Sequence, residues 1–214
     1  METLIAQKII TVDNLFKVAY DLNFKIWVNK LNIWGIRTPQ GEFNDYFLYF
    51  WRVGNQWKKI LAKGTTEPGQ SYLQKKMLNK NGTAILVHNQ QYLDCWEVRK
   101  HKQQYDALCQ IRGYQFKVWR DANQNGVVDY GGDIYTDATG INNHSTRLGY
   151  LANWIGDFSA GCQVVWFWAV FAEIMKLVKE RNEKTYSYAL ITDEALKQSI
   201  NYKKPLEKEV KNQY

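Results

Sequence analysis

A chain of 214 residues with 45% hydrophobic and 23% charged side chains has room for one substantial core, and it excludes a disordered or low-complexity class. The net charge of +7 favours anionic partners, yet the cations are scattered and no helix-turn-helix, zinc-finger or RNA-binding signature is present, so nucleic acid is not expected. Three cysteines, Cys95, Cys109 and Cys162, cannot all pair and form no CxxC, which argues against a disulfide framework or a cysteine zinc site.

The opening METLIAQKIITVDNLFK has no basic region followed by an apolar stretch, so no secretory signal and cytoplasmic synthesis are expected. Asp13-Asn14 ahead of Leu15, Phe16, Val18, Ala19 and Leu22 predicts a capped amphipathic helix. A first strand is predicted over 30–37 (KLNIWGIR), closed by a TPQG turn. Segments 45–53 (DYFLYFWRV) and 56–62 (QWKKILA) flank Gly54-Asn55 and give the clearest hairpin signal. A loop over 63–70 and a polar connection over 71–76 lead to the Asn81-Gly82 turn and a strand over 83–87. Further strands are predicted over 92–98 and 114–119, while 105–110 reads as a strand or a short turn of helix.

His88 and His101 sit in polar surroundings and read as surface histidines; of the two, His101 follows a strand edge and is the one placed to line a cleft. Asp121, Asn123, Asn125 and Asp129, with Gly126 among them, follow the first part of a calcium loop, although Gly132 stands where the closing glutamate belongs. An Asn/Gly-rich turn accounts for the same residues, and both readings stay open. Residues 165–180 lack Gly and Pro and predict a helix with Trp166, Phe167, Trp168, Val170, Phe171, Ile174 and Leu177 on its apolar side. The run 164–178 is interrupted by Glu173 and Lys176 and is too short to span a membrane. A last strand is predicted over 185–192 (TYSYALIT), followed by a tail carrying Lys203, Lys204, Lys208 and Lys211. The whole reads as a β-rich α+β fold: a helical lead-in over 1–30, one domain over 31–192 and a polar basic tail over 193–214.

Chemistry concentrates in 140–165, GINNHSTRLGYLANWIGDFSAGCQVV. A thiol becomes a nucleophile as the thiolate, and a neighbouring imidazole supplies the base that makes it. Gly161 allows a sharp turn that exposes Cys162, and the amides of Gly161 and Cys162 are placed to face a developing oxyanion. A helix starting just after Cys162 would lower its pKa further. The alternative is a cysteine acting as a small buried hydrophobe beside a loop histidine.

His144-Ser145, a gap, then Ser159-Ala160-Gly161-Cys162 resembles the signature of the L,D-transpeptidase catalytic domain (YkuD-type), in a divergent branch associated with phage or injection systems. The upstream segment 64–72 (GTTEPGQSY) is similar to the turn that precedes the core of such domains. The resemblance implies a mixed β-sandwich with one helix packed behind the cysteine, Cys162 as nucleophile, His144 as general base, and the Ser145 carbonyl orienting the imidazole. Ser159, Gln163, Arg147 and His101 are the expected substrate-binding residues, and no cofactor is expected. Many family members carry a second histidine where this chain has Ala160, and an arginine near Gln163-Val164; that arginine holds a donor carboxylate, so its loss favours hydrolysis over transpeptidation. The implied activity is cysteine-dependent acyl transfer on peptidoglycan stem peptides, at the cell wall after delivery or lysis. A non-catalytic envelope-binding or particle-structural protein is the rival expectation.

Overall fold

The structure, a computed structural model, describes residues 6, 8–147 and 151–201. The tail lysines Lys203, Lys204, Lys208 and Lys211 lie outside the described residues. In chain order these residues form α1 (Val12–Asp21), β1 (Asn32–Arg37), β2 (Asp45–Val53), β3 (Gln56–Thr65), α2 (Gln70–Gln74), β4 (Thr83–Leu86), β5 (Gln90–His101), β6 (Tyr105–Gln110), β7 (Phe116–Asp121), β8 (Tyr135–Ala138), β9 (Asn143–Ser145), β10 (Gln163–Val165), α3 (Trp168–Arg181), β11 (Tyr186–Thr192) and α4 (Asp193–Asn201).

The hairpin forms where its turn residues place it. Gly54 takes φ +55, and β2 pairs with β3 from Val53↔Gln56 back to Asp45↔Gly64. Strand β1 lies antiparallel to β2 and parallel to β11. From β11 the sheet continues through β5, β6, β9 and β10 to β3 and closes as an eight-stranded barrel, while β4, β7 and β8 make a separate three-stranded sheet. The fold is therefore α+β and β-rich, with a barrel where a two-layered sandwich was implied. Its closure is thin: β6 meets β9 at the single pair Leu108↔Asn143, and β10 meets β3 at Val164↔Thr65 and Val165↔Gly64.

Strand alternation divides the apolar residues between two cores. Ile33, Phe47, Tyr49, Tyr188 and Leu190 belong to the core inside the barrel. Trp34, Ile36, Leu48, Phe50 and Ile191 face outward and pack with Leu15 and Val18 of α1 and Leu196 of α4. Burial on both faces is why β2 and β11 read as near-continuous apolar runs. Leu15 and Val18 are fully buried, each worth roughly 1.5–3 kcal/mol. The cap of α1 is Thr11, whose Oγ1 accepts the Asn14 N–H at 3.2 Å, rather than Asp13 or Asn14. Segment 105–110 is strand, and the expected polar connection after residue 70 contains the one-turn helix α2.

The helix after the box starts three residues later than predicted, because 163–165 are taken into the sheet as β10. A strand thus separates Cys162 from α3. A helix dipole acts within its first turn, so the expected lowering of the thiol pKa by this helix is not realised. Helix α3 packs against β3, β9 and β10, with Phe171, Ile174, Met175 and Val178 buried. No helix among the described residues is long and apolar enough to cross a membrane.

Candidate active site

The parallel register of the seam, Gln163↔Asn143, Val164↔His144 and Val165↔Ser145, decides which side chains share a face. With period-two alternation, Asn142, His144, Cys162 and Val164 fall on one face, and Asn143, Gln163 and Val165 on the other. Two residues eighteen positions apart are thereby brought to the same side of the seam, His144 on β9 and Cys162 immediately before β10.

Gln163 goes the other way. It is fully buried inside the barrel, where the Tyr188 hydroxyl donates to its Oε1 at 2.7 Å and its Nε2 donates to Gly161 O at 3.3 Å. It cannot touch a substrate, contrary to expectation. Ser159 is also corrected. It is buried, its Oγ donates to Cys162 O at 2.9 Å and accepts the Gly161 N–H at 3.2 Å, so it locks the turn that presents the cysteine. Gly161 has φ +118, and a Cβ there would stand 2.6 Å from Ala84 O. The glycine is required both by its backbone conformation and by this close approach. Because the Gly161 amide is engaged by Ser159, the expected pair of oxyanion donors reduces to the Cys162 amide, which has no hydrogen-bond partner among the described residues.

Cys162 is half-buried, and its thiol donates to Gly140 O at 3.1 Å. Burial pushes the thiol up to about 11, against the opposing pull of the Asn142 backbone N–H and the Lys102 ammonium. It opens on a pocket of about 250 Å³ that also includes Tyr72, Thr83, Arg120, Gly140 and Ala160.

His144 is 4% exposed, and its Nδ1 lies 3.0 Å from Ser145 O. A carbonyl only accepts, so the proton sits on Nδ1 and the lone pair on Nε2. The Tyr105 hydroxyl donates to the same carbonyl at 2.7 Å. Burial, reinforced by the adjacent His101, holds His144 down at about 3, so the ring is neutral near pH 7. Among the described residues no hydrogen bond joins His144 to Cys162.

His101 is not a surface histidine. It is 8% exposed and stacks on His144 with 4.2 Å between ring centroids and 16° between planes. Its Nδ1 lies 3.3 Å from Asn142 Nδ2, while Asn142 Oδ1 accepts the Gln110 N–H at 2.8 Å. The Gln110 amide fixes which end of Asn142 donates. His101 Nδ1 is therefore an acceptor, and its proton resides on Nε2. Arg147 stands apart from both groups, exposed, donating to Gln104 Oε1 at 2.9 Å with its guanidinium 5.5 Å over the Tyr105 ring. His88 is half-buried: burial and the Arg37 guanidinium hold it down at about 4, and Arg37 Nη1 lies 3.4 Å from its Nδ1.

The segment that resembled a pre-core turn reaches the box directly: Gly69 N donates to Ser159 O at 2.9 Å. The calcium-loop candidates are engaged in the turns of their own loop. Asp121 Oδ2 accepts Asp129 N, Asn123 Oδ1 accepts Asn125 N, Asn125 Oδ1 accepts Val127 N, and Asn123 Nδ2 donates to Asp129 Oδ2. This is the Asn/Gly-rich turn reading.

Sequence reasoning missed Asn142, Tyr105 and Lys102. The only early signal was for Asn142, two residues before His144 and hence on its face if 142–145 were extended. The chain matches no protein family, curated protein or solved structure with which it was compared.

Proposed function

We propose that this protein is a cysteine-dependent acyl-transfer enzyme acting on peptidoglycan stem peptides, with hydrolysis favoured over transpeptidation. The observation that carries the reading is the β9–β10 register, which sets His144 and Cys162 on one face. It is supported by a His144 tautomer that leaves Nε2 free to accept a proton. The packing of Gly69 on Ser159 adds to it, because it joins the two segments on which the family resemblance rests.

In this reading the resting thiol is parked on Gly140 O. Rotation about the Cys162 side-chain torsion moves Sγ toward His144 Nε2, which takes the proton as sulfur attacks the substrate carbonyl. The unpaired Cys162 amide faces the oxyanion. The carbon–nitrogen bond then breaks, the amine leaves with the proton from His144, and a thioester remains. Water, deprotonated by His144, releases the acid and restores the thiol. The barrel is read as the closed counterpart of the family's mixed sandwich, its closure resting on the few residue pairs at β9 and β10. The phage or injection-system association belongs to the same proposal.

Digestion of purified peptidoglycan sacculi with wild type and Cys162→Ala, with the products read by mass spectrometry, tests it. New stem-peptide products made by wild type alone support the enzyme. Equal product formation by the two proteins overturns Cys162 as nucleophile.

A second reading, an envelope-binding or particle-structural protein, is favoured by the raised thiol and its bond to Gly140 O. It expects both proteins to sediment with sacculi and neither to change them.

A further inference from the structure

A second pocket, about 550 Å³, adjoins the first. It is lined by His101, Lys102, Arg112, Tyr114 and Asn142, and it shares Gly140 with the pocket of Cys162. Its charges are uneven. Arg99 is paired with Glu97 at 2.9 Å and Lys100 with Asp106 at 2.9 Å. The acid in its lining, Asp137, is bound to Arg120 at 2.5 Å and accepts from Asn79 at 3.0 Å. Lys102 and Arg112 have no ion-pair partner among the described residues. Two cations without a contact ion pair therefore face a concave surface, Lys102 acting only at longer range on the Asp157 carboxylate.

An unpaired histidine donor completes the arrangement. The chain Gln110 N–H to Asn142 Oδ1, then Asn142 Nδ2 to His101 Nδ1, leaves His101 with a proton on Nε2. That N–H has no hydrogen-bond partner among the described residues, and although His101 as a whole is only 8% exposed, its Nε2 is not one of the enclosed polar atoms left unpaired. An N–H left open in this way is free to donate to water or to an anion. Lys102 and Gln103 also hold φ of +47 and +59, with no glycine at the tight β5–β6 turn. Positive φ at both central residues is what a tight hairpin turn closed by Gln104 N on His101 O requires.

We propose that this pocket is an anion subsite, in which His101 Nε2, Lys102 and Arg112 hold a carboxylate or phosphate group of the ligand. That the same ligand offers its carbonyl to Cys162 rests on the acyl-transfer reading; the anion site itself does not. Lys102 lies at the junction, since its charge acts on Cys162, His144 and His101 alike.

The test uses the full chain carrying Cys162→Ser. Sodium phosphate and sodium N-acetylglycinate are titrated separately, with sodium chloride holding the ionic strength constant. The readout is the imidazole nitrogen resonance of His101, assigned with His101→Phe among the three histidines. At least one anion is expected to give a saturable shift, weakened fivefold or more by Lys102→Met with Arg112→Met, while the His144 resonance of that double variant reports an intact fold. Saturation by phosphate alone supports a phosphorylated ligand, and saturation by N-acetylglycinate supports a peptide carboxylate. Shifts that never saturate, or that saturate equally in the double variant, overturn the subsite. If sacculi stay uncut while an anion saturates His101, the acyl-transfer reading fails and the subsite stands. Cleavage without saturation has the opposite meaning.

Discussion

His101 and His144 come from different strands and lie ring on ring, 4.2 Å apart and 16° from parallel. A proton on one disfavours a proton on the other, and burial disfavours both. Asn142 adds to this, because its amide N–H already faces His101 Nδ1. The pair is thus neutral in the folded protein.

Acid destabilisation follows. For a group whose folded pKa lies below its unfolded value, the unfolded chain binds more protons, and stability is lost as pH falls through the unfolded pKa. For His144 the window runs from about 6.5 down to about 3. Between pH 7 and pH 5 this histidine alone should remove roughly 2 kcal/mol of folding free energy. Urea denaturation at the two pH values is expected to show that loss reduced in His144→Gln. An unchanged loss would falsify the assignment of a neutral buried His144.

The thiol gives a second prediction. Without substrate, the rate of Cys162 alkylation by iodoacetamide should rise to a midpoint near 11, above the value of about 8.5 for a free thiol. Lys102→Met should push the midpoint higher, because the ammonium lowers it in the wild type. Mass spectrometry of the peptide bearing Cys162 separates it from the buried Cys95. A midpoint at or below 8.5 would mean that the thiol rests on a stronger stabilising group than Asn142 N–H.

Gly161→Ala should cost about 3 kcal/mol, from strain at φ +118 and from the approach to Ala84 O. Thermal unfolding measures the loss. The displaced turn should also slow any Cys162-dependent cleavage at temperatures where the variant remains folded.

Glu67 titrates in the opposite sense. Burial and the nearby Asp45 carboxylate push it up to about 8, against the pull of Arg37. A raised folded pKa stabilises below the unfolded value, near 4.5, and that contribution disappears as pH rises through 8. Between pH 7 and pH 9 the wild type should lose roughly 1 kcal/mol, and Glu67→Gln should not. Measurement above pH 7 keeps the effect clear of the histidines.

The hairpin, the helix after the box and the final strand were legible because each satisfies a local pattern over many residues. Strands β9 and β10 were not. Three residues give no readable alternation, and both strands are buried whatever their pattern. Without β10 there was no way to see that Gln163 must point away from Cys162. Ser159 was misread for a related reason: a polar residue near a nucleophile looks available until its hydroxyl is seen closing the turn. The pairing of His101 with His144 depends on a contact between distant strands, to which no local signal points.

The thin closure of the barrel also bears on how the site comes into being. The pairs that shut it, Leu108↔Asn143 and Val165↔Gly64, join segments far apart in the chain. Contacts of that kind carry a large loop-closure entropy and tend to form late. Both chemical residues ride on the strands that make those pairs or abut them. A chain that has collapsed but not yet shut its seam carries an ordinary thiol and an ordinary imidazole, without the shared face. Closure of the barrel and formation of the shared face are then a single kinetic event, and until the last strands meet the Cys162 thiol alkylates more readily than it does in the closed barrel.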